Sequence, residues 1–130
     1  MDSRPSDPRG RRVTSASSFV PLWNRADEWA RRLAMIRRAR RFLYLSTFYI
    51  EYDGYGIELL DALDEAASRG VVVNLLIDSF GQRLGGVLMS SAHKAALEAR
   101  LAALGHKNAV VTYYHPARAI QRKLGGGQHV

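Results

Sequence analysis

The 130 residues include no cysteine and carry a formal net charge of +7, with 47% hydrophobic and 24% charged residues. That length suits one domain, and the missing cysteine excludes disulfides, thiolate metal sites and cysteine nucleophiles. No stretch approaches the roughly 20 continuous apolar residues of a membrane span, and the opening MDSRPSDPRGRRVTSASS lacks the apolar core of a secretory signal.

The charge is unevenly placed. Eleven arginines lie at or before Arg41 against Asp2, Asp7, Asp27 and Glu28, whereas from Phe42 onward eight basic residues balance eight acidic ones. The whole excess therefore sits in the first third. Residues 1–18, rich in Ser, Pro, Gly and Arg, are predicted to be a disordered basic leader, with the folded part at 19–130. Such a segment is drawn to anionic lipid or nucleic acid, although a solvated helix face explains a charge run equally well.

After the leader, Ala26, Trp29, Ala30, Leu33 and Ile36 recur at helical spacing, with Arg25, Arg31, Arg32 and Arg38 largely elsewhere around the axis. This is an amphipathic helix whose apolar stripe is expected to face the protein's own sheet. FLYLSTFYI, Phe42 to Ile50, reads as a strand buried on both faces. EYDGYG supplies a turn, and IELLDALDEAASRG a helix with Leu59, Leu60, Leu63, Ala66 and Ala67 inward and Gly70 at its end. VVVNLLID, Val71 to Asp78, is a second buried strand. Strand, helix and strand within so few residues predict a parallel pair with a right-handed crossover. SFGQRLGGVLMSS reads as a glycine-bearing loop. AHKAALEARLAALG follows as a helix striped by Leu97, Leu101 and Leu104, and AVVTYYH as a third strand stopped by Pro116. The tail ARAIQRKLGGGQHV is a short basic stretch and a glycine loop. The order α-β-α-β-α-β predicts a layered α/β fold with a mainly parallel sheet.

In open parallel sheets ligands gather beyond the carboxyl ends of the strands, here Glu51 and Asp53, Asp78, and His115. Each has an ordinary structural explanation. Asp53 beside Gly54 suits a turn or helix cap, Asp78 can cap or brace its loop, and His115 can simply end a strand. Neither GQRLGG nor GGGQH has a phosphate-loop form, there is no G-x-S-x-G, and no His/Asp/Glu set has zinc spacing. His93 and His106 fall on or beside the helix before the third strand, where exposure is expected. No metal or cofactor is implied.

YIEYDGYGIELLDALDEAASRGVVVNLLID resembles the phospholipase D superfamily, and most closely its bacterial cardiolipin synthase-like members. Tyr49, Asp53, Gly56, Leu63, Ala66, Ala67, Arg69, Gly70, Val71, Val73, Leu76 and Asp78 match that pattern. The preceding FVPLWNRADEWARRLAMIRRARRFLYLST looks like the family's opening, so the resemblance covers roughly residues 19 to 130. It implies an incomplete phospholipase D-like half domain. The family signature is H-x-K-x-x-x-x-D, and His129 stands at its first position, with Val130 as the next. The resemblance makes His129 the nucleophile on a phosphodiester or, in the alternative assignment, the general acid for the leaving alcohol; Asp53, Asp78 and His115 become substrate-binding candidates. The lysine two positions after His129 and the acidic residue beyond it are not in the chain, nor is the second such motif. The chain is thus expected to be a truncated phosphatidyltransferase, inactive alone, that needs a C-terminal half or a second chain.

The implied partner is an anionic phospholipid surface, and the implied location is cytoplasmic or peripheral on the inner face of the cytoplasmic membrane. A phospholipase D-type nuclease fragment acting on nucleic acid, or a non-catalytic lipid- or partner-binding domain, are the alternative functions.

Overall fold

A computed structural model of the protein describes residues 20–114. The first helix, α1, spans Arg25–Arg38 and starts where the Asn24 side chain accepts a hydrogen bond from the Ala26 amide. Asp27 and Glu28 occupy its first turn and Arg37 and Arg38 its last, the arrangement that complements the helix dipole. Its inward stripe is narrower than the periodicity predicts. Leu33 and Ile36 are buried and Trp29 packs against the core, while Ala26 and Ala30 face solvent.

Strand β1, Phe42–Thr47, leads through a turn into α2, Gly54–Ser68, and α2 returns into β2, Val72–Asp78. Gly70, at φ 90°, makes the reversal between α2 and β2, a conformation that costs glycine little. The third strand, β3, is Ala109–Tyr114, and the sheet runs β1-β2-β3 with both pairings parallel. An α/β fold with an all-parallel open sheet is therefore what the chain forms, in agreement with its element pattern.

Two elements depart from expectation. SFGQRLGG is not a loop but a helix, α3, over Ser79–Gly86, capped by Asp78. Glycines in the interior mask it in the sequence, yet the cap and the docking of Gln82 hold it. Gln82 Oε1 accepts from the Ile50 amide at 2.8 Å while its Nε2 donates to the Ile50 carbonyl at 2.9 Å. This two-way pairing ties α3 to the chain leaving β1. The helix before β3 is accordingly α4, Ser91–Gly105, with Leu97, Leu101 and Leu104 buried.

The second departure concerns the sheet. β1 is not buried on both faces, and neither is β2. Leu43, Leu45 and Thr47 lie in register with Val73, Leu75 and Ile77, and these with Ala109, Val111 and Tyr113. That set faces the helices, and Val73 and Ile77 are 0% exposed. The alternate set points away from them. Phe42 is 60% and Tyr44 72% exposed there, and Val72, Val110 and Tyr114 are open too. A parallel sheet ordinarily carries helices on both faces. Here the described helices cover one, because the buried stripes of α1, α2 and α4 all join the same core as Val73, Leu75 and Ile77.

The helical layer is cross-tied at its surface. Trp29 Nε1 donates to Glu58 at 2.8 Å, Arg100 meets Asp61 at 2.6 Å, and Lys107 meets Asp64 at 2.8 Å. The hydrogen bond with Asp61 raises the Arg100 pKa from its ordinary value. Arg69, at the end of α2, donates to the carbonyls of Ile36 and Arg37 at 3.4 and 3.0 Å. It thereby supplies a donor to carbonyls at the end of α1, where the helix has run out of amides to pair with them.

Candidate functional site at the carboxyl ends of the strands

Each of the first two strands hands over to a helix through an aspartate. Asp53 caps α2, its Oδ1 accepting from the Gly56 amide at 2.8 Å. Asp78 caps α3 in the same way, accepting from the Gly81 amide at 2.7 Å. Both carboxylates therefore occupy the carboxyl edge of the sheet, and both already have structural work. Replacing either with alanine should cost about 1 kcal/mol of stability, and Asn or Ser at the same position should recover most of it, as read by urea unfolding. Recovery by Ser would show capping to be the main role of that residue.

The two aspartates do not share a cavity. Asp53 lines a cleft of about 400 Å³ between α1, the β1–α2 turn and the start of α2. Trp29 and Tyr55 meet there edge to face at 5.2 Å. Arg32 sits over the Trp29 ring and pairs with Glu28, while Arg25 has no carboxylate partner among the described residues. Glu51 lines the same cleft, so its walls mix cations, carboxylates and aromatic rings. Asp78 lines a shallower recess of about 270 Å³ with Ser46, Thr47, Phe48, Leu76 and Tyr114. Thr47 borders both. Asp78 is in register with Tyr114, so β3 ends at this same edge.

His115 and His129 lie outside the described residues. His93 is exposed on α4 with its ring 5.8 Å from that of Tyr52, and His106 is the exposed C-cap of the same helix, both as expected. A third cleft, of about 560 Å³, opens between α3, α4 and β3, lined by Arg83, Lys94, Glu98 and Tyr113 among others. Burial, with Glu98 nearby, raises the Tyr113 phenol above its ordinary pKa. It exists only because 79–86 is helical, so a loop reading of that stretch could not have shown it. Likewise Trp29, read as a core residue, forms a cleft wall because α1 lies at the margin of the sheet.

Among the described residues no group of three or more His, Cys, Asp or Glu side chains is placed to hold a metal ion, and no helix is long and apolar enough to cross a membrane. Compared with protein-family models, with curated proteins and with solved structures, the chain finds no match in any of the three.

Proposed function

We propose that the chain is the N-terminal portion of a phospholipase D-like phosphatidyltransferase of cardiolipin synthase type, with His129 contributing the reactive imidazole of a site completed by further polypeptide. The observation that supports this most is the agreement between the matched pattern and the fold. Tyr49 follows β1, Asp53 and Gly56 form the turn into α2, and Leu63, Ala66 and Ala67 are the buried face of α2. Arg69 and Gly70 form the exit, and Val71 to Asp78 the parallel return strand. The pattern thus describes one β-α-β unit whose strand ends converge on the edge where β3 also finishes.

In the reaction so proposed, the neutral imidazole attacks the phosphorus of a phosphatidyl donor. A P–N bond forms as the P–O bond to the leaving alcohol breaks, and that alcohol takes a proton from a general acid. A second alcohol then attacks phosphorus, its proton passes to a base, and the imidazole is released. A cation beside the phosphoryl oxygens neutralises developing charge, which is the role of the lysine that follows the histidine in the signature. The anionic lipid surface would be met by the exposed arginines of α1.

Two measurements test the reading. Sequencing the coding DNA past codon 130 is expected to show a lysine codon next in frame and an acidic codon five further on; any other continuation overturns it. The 130-residue chain itself should release no measurable alcohol from phosphatidylglycerol vesicles. Turnover that His129→Ala abolishes would show that the chain already holds a complete site.

A further inference from the structure

The side of the sheet that the described helices leave bare presents a particular chemistry. Phe42 and Tyr44 stand two residues apart on β1 with ring centroids 5.7 Å apart, tilted by 56°. Across from Tyr44 in register is Asn74 and then Val110; across from Ser46 are Leu76 and then Thr112. The face is therefore aromatic along its outer strand and polar at intervals across its middle. Asn74, Ser46 and Thr112 have no side-chain hydrogen-bond partner among the described residues. An aliphatic layer laid over them would strand those groups at about 1–3 kcal/mol each. The face suits a ligand that offers flat apolar surfaces together with donors and acceptors.

Charge points the same way. Arg40 and Arg41 are exposed at the amino-terminal end of β1, beside Phe42, and neither has a carboxylate partner among the described residues. The acidic side chains of the described residues lie on α1, α2, α4 and the turn after β1, except Asp78 at the far end of the face. The open side of the sheet is thus a basic and aromatic surface with the acids placed behind it, and the chain as a whole carries +7.

We propose that this open sheet face binds single-stranded nucleic acid, its bases stacking on Phe42 and Tyr44 and its phosphates held by Arg40 and Arg41. Base edges supply the hydrogen-bonding partners that Asn74, Ser46 and Thr112 lack, and stacking on exposed rings is tolerant of sequence. The proposal is independent of the phosphatidyl-transfer reading, since it uses neither the carboxyl edge nor His129.

The test is fluorescence anisotropy of labelled oligo(dT) and oligo(U) with the full chain at low salt. Replacing both Phe42 and Tyr44 by alanine should weaken binding by about twentyfold or more, while exchanging the rings (Phe42→Tyr with Tyr44→Phe) should preserve it. Replacing Arg40 and Arg41 with alanine should lower the slope of log affinity against log salt by roughly 1.4. Undiminished binding by the double alanine variant would overturn the proposal, because charge alone would then explain the affinity. Absence of oligonucleotide binding would overturn it as well. So would sedimentation showing that self-association through Phe42 and Tyr44 excludes the oligonucleotide, or binding to phosphatidylglycerol vesicles that those rings support while oligonucleotide affinity ignores them.

Discussion

Gly56→Ala is expected to lower the melting temperature by roughly 12–20 °C, corresponding to about 3 kcal/mol in a domain of this size. The reason is steric. A Cβ at position 56 would lie 1.7 Å from the Glu51 carbonyl oxygen and 2.9 Å from its carbon, both backbone atoms. No rotamer change can relieve that contact, so the turn between β1 and α2 must shift. The shift would also disturb the Asp53 cap, whose hydrogen bond ends on the Gly56 amide. Gly54→Ala, two residues earlier, meets nothing within 4 Å and serves as the control, with a melting temperature near that of the parent. Equal behaviour of the two variants would mean that the turn is not drawn tight against α2.

Adjacent leucines on β2 offer the second large effect and test how the sheet is covered. Leu75 is 1% exposed and packs beneath the helices, so Leu75→Ala should cost about 2–5 kcal/mol through lost transfer energy and the cavity left behind. Leu76 points to the other face and is half-buried, and Leu76→Ala should cost about 1 kcal/mol or less. Urea unfolding of both variants reads the difference directly. Similar losses would show that some layer covers the open face in solution. The comparison also bears on the nucleic-acid proposal, which needs that face accessible.

The β-α-β unit was legible because its signals are local. Leu59, Leu60, Leu63, Ala66 and Ala67 repeat at helical spacing, Gly70 marks the reversal, and Val71 to Asp78 is too apolar and too short for anything but a strand. Asp53 and Asp78 were legible as cap candidates for the same reason, since an aspartate followed three residues later by a free amide needs no tertiary partner. The helix over Ser79–Gly86 was not legible. Its glycines argue for a loop, and its stability comes from Gln82, which reaches the Ile50 backbone 32 residues away. No local pattern records such a contact. His129, where the resemblance puts the reactive imidazole, is outside the described residues, so its role rests on the motif and the proposed experiments.

Strand burial shows where sequence reading stops. Hydrophobicity alone makes FLYLST and VVNLLID look covered on both sides, because a strand's composition reports what it tolerates and not what lies above it. By itself the sequence determined the order of every element except α3, the parallel α/β class, the cap candidates Asp53 and Asp78 and the concentration of positive charge before Phe42. Only the tertiary structure decided that α1, α2 and α4 share one side of the sheet, that Asp53 and Asp78 line separate clefts, and that Phe42 and Tyr44 stand in the open. Those facts depend on how non-neighbouring elements pack, and packing is a property of pairs of surfaces that no single segment encodes.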